Sequence, residues 1–399
     1  MPSRRIGFDA IRALRNTTGL GNYARGVLRG LHHHDPQLDI HLYAPAAGRA
    51  EFADLPGELG ATLHLPPGNI NPVSRAVWRT FRLGRVAAKD QVQLYHGLTH
   101  EIPRDLPRTG VPSVVTVHDL IYEKHPGYFP LVDRWSYRWR YRWSAAHATA
   151  LVAVSEQTRA ELVERYHIDP ARIAVIPPAR HAAFAVPVAA PERAAVRAKY
   201  GVPAEFLFSV GTLEPRKNHR ALIAALAALA TADALPLVLA GRDGGALHTL
   251  QREIAARGLT RRVQLLTNVA SADLPALMQS ATIFLYPSLV EGFGMPIVEA
   301  LSAGTPVISS GSGCLVEAGG PGSRYLSPGD TNSWAAAIRE LVRDAAARTR
   351  MRNAGRNWAM QFDGDRLAAH LAAVYDAVLA GNSLPARPPT AEAAVAGVP

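Results

Sequence analysis

Two glutamates, Glu291 and Glu299, stand eight positions apart around the run Gly292-Phe293-Gly294-Met295-Pro296. Each carboxylate can accept two hydroxyl hydrogen bonds, so a pair of them suits a ligand rich in hydroxyls. On one helix they would be separated by roughly 12 Å of axial rise, too far to share a proton and far enough to grip different parts of one extended molecule. Between them, the backbone amides of Phe293, Gly294 and Met295 at a helix start offer an anion cradle with the helix dipole behind it. A capping carboxylate followed by a surface glutamate would leave the same spacing.

A second cluster is Gly211-Thr212-Leu213-Glu214-Pro215-Arg216-Lys217-Asn218, which sets two cations directly after an apolar run. Arginine grips phosphate oxygens with its planar fork, and lysine acts as a movable point charge. The same pair also reads as a solvated surface. Gly19-Leu20-Gly21 continues to Gly26, which places the third glycine two positions too late for the dinucleotide pattern. Asp39 precedes the second apolar run instead of following it, so a Rossmann dehydrogenase is disfavoured. What remains at Gly19 and Gly21 is either a turn that needs glycine for its backbone or amides that face an anion. His118, in Thr116-Val117-His118-Asp119, ends another apolar run and is either a ligand contact or a satisfied histidine.

The stretch Asp133 to His147 alternates arginine with aromatic residues. At helical spacing Trp135, Trp139 and Trp143 share one face, with Arg134, Arg138 and Arg142 on the neighbouring one. This is the composition of an interfacial membrane helix, and equally of a helix that buries its tryptophans under arginine stems. The same stretch could stack on and neutralise single-stranded nucleic acid, but one helix without a recognisable RNA or DNA module is weak evidence, and no nucleic-acid partner is expected. His32-His33-His34 point in three directions and cannot ligate one ion, and the lone Cys314 has no partner for a disulfide.

Short apolar runs alternate with helical stretches to position these residues. Runs at 6–8, 40–43, 92–95, 114–117, 151–154 and 173–176 predict a parallel sheet covered on both faces. After a Pro- and Ala-rich stretch the alternation starts again, with strands at 206–210, 237–240, 263–266, 283–286 and 307–309 and helices between them. The fold class is therefore α/β, two doubly wound Rossmann-like domains facing a cleft, with ligands at the carboxyl ends of the strands. The expected organisation is an N-terminal domain over 1–180, a linker over 181–200, a C-terminal domain over 201–362, a helix over 363–382 that can pack back on the first domain, and a disordered tail over 383–399. With 399 residues, two such domains have ample material for their cores. An excess of 43 Lys+Arg over 33 Asp+Glu favours anionic partners. The first residues reach Asp9 without an apolar run of signal-peptide length, and the longest helix-like apolar run, 221–232, is too short to span a bilayer. A cytoplasmic protein, in at most peripheral contact with the membrane, is expected.

Glu-(seven residues)-Glu with its interior Gly-Phe-Gly-Met-Pro, Tyr286-Pro287-Ser288 before it, Gly211 to Asn218 and Thr116 to Asp119 together resemble the retaining family 4 glycosyltransferases of the GT-B fold. The likeness runs from Gly19 to the helices after Asp330. Within the family, Gly-Thr-Leu-Glu-Pro-Arg-Lys-Asn with Thr-Val-His-Asp-Leu is similar to bacterial mannosyltransferases that build surface polysaccharides. The resemblance implies that Arg216 and Lys217 stabilise a departing nucleoside diphosphate without a metal or cofactor. It implies that Glu291 holds donor-sugar hydroxyls and Glu299 the ribose, while His118 reaches the reacting centre and Gly21 lies near the diphosphate. Loops around Arg242 and Asn268-Val269 would choose the base. Thr212 departs from the pattern, because many members carry an arginine there, and Arg216 would then supply the charge. No protein nucleophile is implied, with Asp119 as a helper at most.

The expected function is transfer of mannose from GDP-mannose to a glycan or polyprenyl-diphosphate-linked acceptor, at the inner face of the membrane. The alternatives are a UDP-sugar-dependent transferase, a UDP-sugar 2-epimerase of the same fold, and a non-catalytic basic membrane or nucleic-acid binder.

Overall fold

In the computed structural model, which describes residues 4–68, 71–230, 235–311 and 313–386, the chain divides into two compact units. The first comprises the chain up to Ala179 together with the segment from Phe362, and the second spans Arg180–Gln361.

The first unit is built on seven strands: β1 (Arg5–Asp9), β2 (Asp39–Tyr43), β3 (Thr62–His64), β4 (Leu94–Gly97), β5 (Ser113–Val117), β6 (Ala150–Ala153) and β7 (Ile173–Val175). They pair in the order β3-β2-β1-β4-β5-β6-β7, and every pairing is parallel. Strands such as Ser113-Val-Val-Thr-Val117 are buried along their whole length, as a sheet covered on both faces requires. Helix Gly364–Ala380 belongs to this unit: Leu367, Leu371, Val374, Tyr375 and Val378 enter the same core as Ile6, Leu28 and Ile40. It lies along helix Gly19–His34, where a Cβ on Gly30 would stand 3.3 Å from that of Ala368. The Tyr375 hydroxyl also meets Nδ1 of His96 at 2.6 Å.

The second unit has six parallel strands: β8 (Leu207–Val210), β9 (Leu237–Ala240), β10 (Val263–Leu266), β11 (Ile283–Tyr286), β12 (Val307–Ser310) and β13 (Ser323–Leu326), in the order β10-β9-β8-β11-β12-β13. From β8 the chain moves outward through β9 to β10, and from β11 it moves the other way, which leaves a crevice at the carboxyl ends of β8 and β11.

The stretch 181–200 is not a linker. Pro191 begins a helix, Ala190–Lys199, rather than breaking one, because proline is tolerated where the amide needs no intrahelical partner. That helix packs on helix Leu274–Ser280, and Tyr200 donates to Asp273 at 2.6 Å while Gln279 donates to Val186 O at 2.7 Å. Of the expected tail, Leu384 packs against the core of the first unit, and residues 387–399 lie outside the described residues.

Helix Leu131–His147 turns its tyrosines and the last of its three tryptophans inward, not the whole tryptophan stripe. Tyr137, Tyr141 and Trp143 pack on the core, whereas Trp135 and Trp139 are 71% and 45% exposed. The outward pair stacks at 6.4 Å, and the Arg104 guanidinium lies over Trp139.

Candidate active site

The loop after β8 and the loop after β11 meet in the second unit. Asn218 takes a left-handed conformation (φ 55°) and donates from Nδ2 to Pro287 O and Pro328 O, while the Leu289 amide donates to Arg216 O at 2.9 Å. These ties bring Arg216, Lys217 and Glu291 into direct contact.

Glu291 is held from several sides. Its Oε1 accepts from Lys217 Nζ at 2.5 Å, Ser288 Oγ at 2.6 Å and Tyr286 OH at 2.9 Å, and its Oε2 accepts from Arg216 at 2.8 Å. Burial alone would raise its pKa, yet the charges of Lys217 and Arg216 overcome this and hold it at about 2. Burial pulls the Lys217 ammonium below the ordinary lysine range against the attraction of Glu291. Arg216 also pairs with Glu214 at 2.7 Å, and its two carboxylate partners raise its pKa despite burial. In this arrangement Glu291 orients the two cations, a task added to the sugar contact that the resemblance implies for it.

Helix Met295–Ala303 begins at Gly294, whose φ of 112° is accessible to glycine and whose Cβ would stand 2.7 Å from Leu315. The start carries no side-chain cap, Met295 is its first residue, and Phe293 is buried beside it. Glu299 is partly buried on this helix, with no hydrogen bond or ion pair among the described residues, and burial pushes its pKa up to about 8. Thr212, Arg242 and Val269 follow β8, β9 and β10 at the same carboxyl edge, with Arg242 exposed.

In the first unit, Gly19 and Gly21 lie in the first turn of their helix. A Cβ on Gly21 would fall 1.9 Å from Asn16 O, so packing within the unit demands glycine there, while Gly19 has open space around it. His118 follows β5, and its Nε2 lies 3.0 Å from Leu98 O, which assigns the proton to Nε2 and leaves Nδ1 as an acceptor. Burial, aided by His100, lowers its pKa to about 3 and keeps the ring neutral.

A family model described as Glycosyltransferase Family 4 matches residues 17–184, and one described as Glycosyl transferases group 1 matches residues 193–358. The D-inositol 3-phosphate glycosyltransferase of Jonesia denitrificans is 32% identical over 288 residues, which cover 67% of each chain. The chain belongs to the family 4 glycosyltransferases of the GT-B fold. O-antigen chain mannosyltransferase B of Escherichia coli is 32% identical over 257 residues, covering 63% of this glycosyltransferase and 65%, just under two thirds, of that relative. The fold is also that of a crystal structure of a glycosyltransferase from Rickettsia africae, at a TM-score of 0.75 and 16% identity over 95% of this chain and 99% of that one.

For this glycosyltransferase, sequence reasoning quoted Tyr286 and Ser288 as part of a motif without a role, and it gave Asn218 none. Their hydroxyl and amide types were the available signal. The lone Cys314 donates from Sγ to Glu291 O at 3.2 Å and so sits under the loop that carries the central carboxylate.

Proposed function

We propose that this glycosyltransferase moves a hexose, mannose from GDP-mannose first among the candidates, onto a lipid-linked or growing surface-polysaccharide acceptor, lipopolysaccharide included, with retention of configuration. The observation that carries the reading is the Arg216–Lys217–Glu291 cluster at the β8/β11 crevice. As the donor bond breaks, negative charge grows on the departing diphosphate, and a guanidinium and an ammonium fixed in a dry site stabilise it without reorganising. Charged hydrogen bonds of this kind are worth about 1.5–3 kcal/mol each, roughly 10- to 150-fold in rate if realised in the transition state. Glu299, without a partner among the described residues, is suited to the ribose hydroxyls. Thr212, Arg242, Val269 and the Gly294-Met295 helix start complete the donor subsite of the second unit, and the family resemblance assigns His118, Gly19 and Gly21 of the first unit to the donor as well. The mannose assignment is supported by the similarity to the O-antigen mannosyltransferase. The inner face of the membrane is proposed as the place of transfer, with the exposed Trp135 and Trp139 as peripheral contacts. Among the described residues, no helix is long and apolar enough to cross a membrane.

A UDP-sugar donor is the second reading, kept because the similarity to a D-inositol 3-phosphate glycosyltransferase over 91% of this chain and 88% of that relative extends the relatives beyond mannosyltransferases. Thermal stabilisation by GDP, UDP and ADP and their sugar conjugates, in wild type and Lys217→Ala, separates the two, since a ligand stabilises the state it binds. A shift with GDP and GDP-mannose that weakens in the variant supports the first reading. A shift with UDP compounds replaces the donor, and no shift with any nucleotide overturns the donor site.

A further inference from the structure

The carboxyl edge of the first sheet carries a cluster that donor binding leaves largely unused. Arg12 follows β1 and His100 follows β4, the two strands from which that sheet's connections diverge, and His118 follows β5. The His100 ring stacks on Tyr141 at 4.5 Å and lies 5.3 Å from the His118 ring, which Tyr23 meets edge-on at 4.5 Å. His100 and His118 are only 6% and 8% exposed. His100 also takes φ 64°, a left-handed conformation that costs energy in a non-glycine residue and concentrates at ligand sites. Among the described residues its Nδ1 is buried without a hydrogen-bond partner.

Arg12 is partly buried, and its charge reaches His100, His118 and Tyr141. Among the described residues nothing accepts a hydrogen bond from its guanidinium and no carboxylate pairs with it. The acids nearby have other duties. Glu101 pairs with Arg79 and Arg140, and Asp119, which faces His118, accepts the Ile121 amide. A guanidinium partly removed from water and left without an anion is an expensive arrangement unless a ligand supplies one.

We propose that Arg12, with His100 beside it, binds a phosphate group carried by the acceptor. The planar fork of arginine matches two phosphate oxygens, which a lysine would not do. Burial lowers the pKa of His100 to about 3, so near pH 7 its ring is neutral and adds a hydrogen bond and no further charge, while His118, whose proton is committed to Leu98 O, packs beside it and gives the phosphate no donor. A lipid phosphate and a free sugar phosphate share this chemistry. The inference rests on the transferase reading for the word acceptor, and on the first unit alone for the anion.

The test is calorimetric titration of the full chain with mannose 1-phosphate, and with methyl α-mannoside as the uncharged control, in saturating GDP. Wild type binds the phosphate at least about tenfold more tightly than the control, and Arg12→Gln loses roughly 10- to 150-fold of that affinity, the range for one charged hydrogen bond. Arg12→Lys recovers part of it. Equal binding by wild type and Arg12→Gln, or no preference of wild type for the phosphate, overturns the proposal. Where Arg12→Gln fails to fold, Arg12→Met keeps the packed stem and is read in the same way. If GDP does not bind wild type, the donor reading falls, but the comparison of Arg12 variants with mannose 1-phosphate is still decisive for the anion. Vesicles of phosphatidylcholine with and without undecaprenyl phosphate separate the sources: an Arg12-dependent gain there marks a lipid phosphate, and Arg12-dependent binding of mannose 1-phosphate alone marks a soluble one.

Discussion

Lys217 Nζ lies 2.5 Å from Glu291 Oε1, with both side chains about nine-tenths buried. Each charge is tolerable only because the other is present, since removing one partner of a buried pair leaves an uncompensated ion. Glu291→Ala is therefore expected to cost about 3–5 kcal/mol in urea unfolding, and Lys217→Met with Glu291→Leu together less than the sum of the single changes. Additive costs would show that the pair is not coupled. The acid limb follows from the same contact. Glu291 falls from an ordinary 4.5 to about 2 in the folded state, so its stabilisation is complete above about 4.5 and is lost as pH drops towards 2. Glu291→Gln should flatten that limb of the stability curve.

Glu299 behaves in the opposite sense. Burial raises its pKa from 4.5 to about 8, so the folded state binds the extra proton between those values. Its contribution to stability is fully present below about 4.5 and is lost as pH rises through about 8. If ribose hydroxyls donate to this carboxylate, nucleotide binding favours the ionised form and expels the proton near pH 7. Titrating nucleotide in buffers of different ionisation enthalpy should reveal proton release that Glu299→Gln abolishes. Release of the same size in the variant would remove Glu299 from the ribose site.

The paired glutamates, the cation pair and the alternation of strands were legible because each is a local pattern. Strands 237–240, 263–266 and 283–286 follow their apolar runs residue for residue. The short strands β3 and β13 were not legible, since Thr62-Leu-His64 and Ser323-Arg-Tyr-Leu326 carry too few apolar residues to stand out. The prolines at 187 and 191 suggested a break where Pro191 starts a helix whose support comes from Gln279 and Asp273, some 80 residues later in the chain. The clamp on Glu291 was hidden for a similar reason: it depends on Lys217 and Arg216 arriving from the neighbouring strand's loop, which spacing along the sequence cannot show.

Metal dependence is the sharpest test of the electrostatic mechanism. If Arg216 and Lys217 supply the positive charge for the leaving diphosphate, chelation with EDTA should leave the transfer rate unchanged, while Lys217→Ala lowers kcat by roughly 10- to 150-fold, the range for one charged hydrogen bond. A loss of more than tenfold in EDTA, restored by magnesium or manganese, would move the charge-stabilising role from these side chains to an ion.

Trp135 and Trp139 stand outside the packed face of their helix, stacked on each other, with exposed Leu131 and Val132 one turn earlier. The neighbouring Arg138 and Arg142 are exposed as well, and Arg104 both covers Trp139 and donates its amide to Thr80 at 2.7 Å, beside exposed Phe81. Tryptophan rings settle at headgroup depth, and each nearby arginine adds about 1 kcal/mol of attraction to an anionic surface. Replacing both rings with serine should thus lower partitioning onto phosphatidylglycerol vesicles at least about tenfold, and leave the melting temperature within a degree or two, because the rings contribute little to the core. Binding should also weaken with salt in wild type, since part of it is screened charge. A double variant that partitions like wild type, or that melts much lower, would assign the two rings to the fold or to another partner and take the membrane away from this helix.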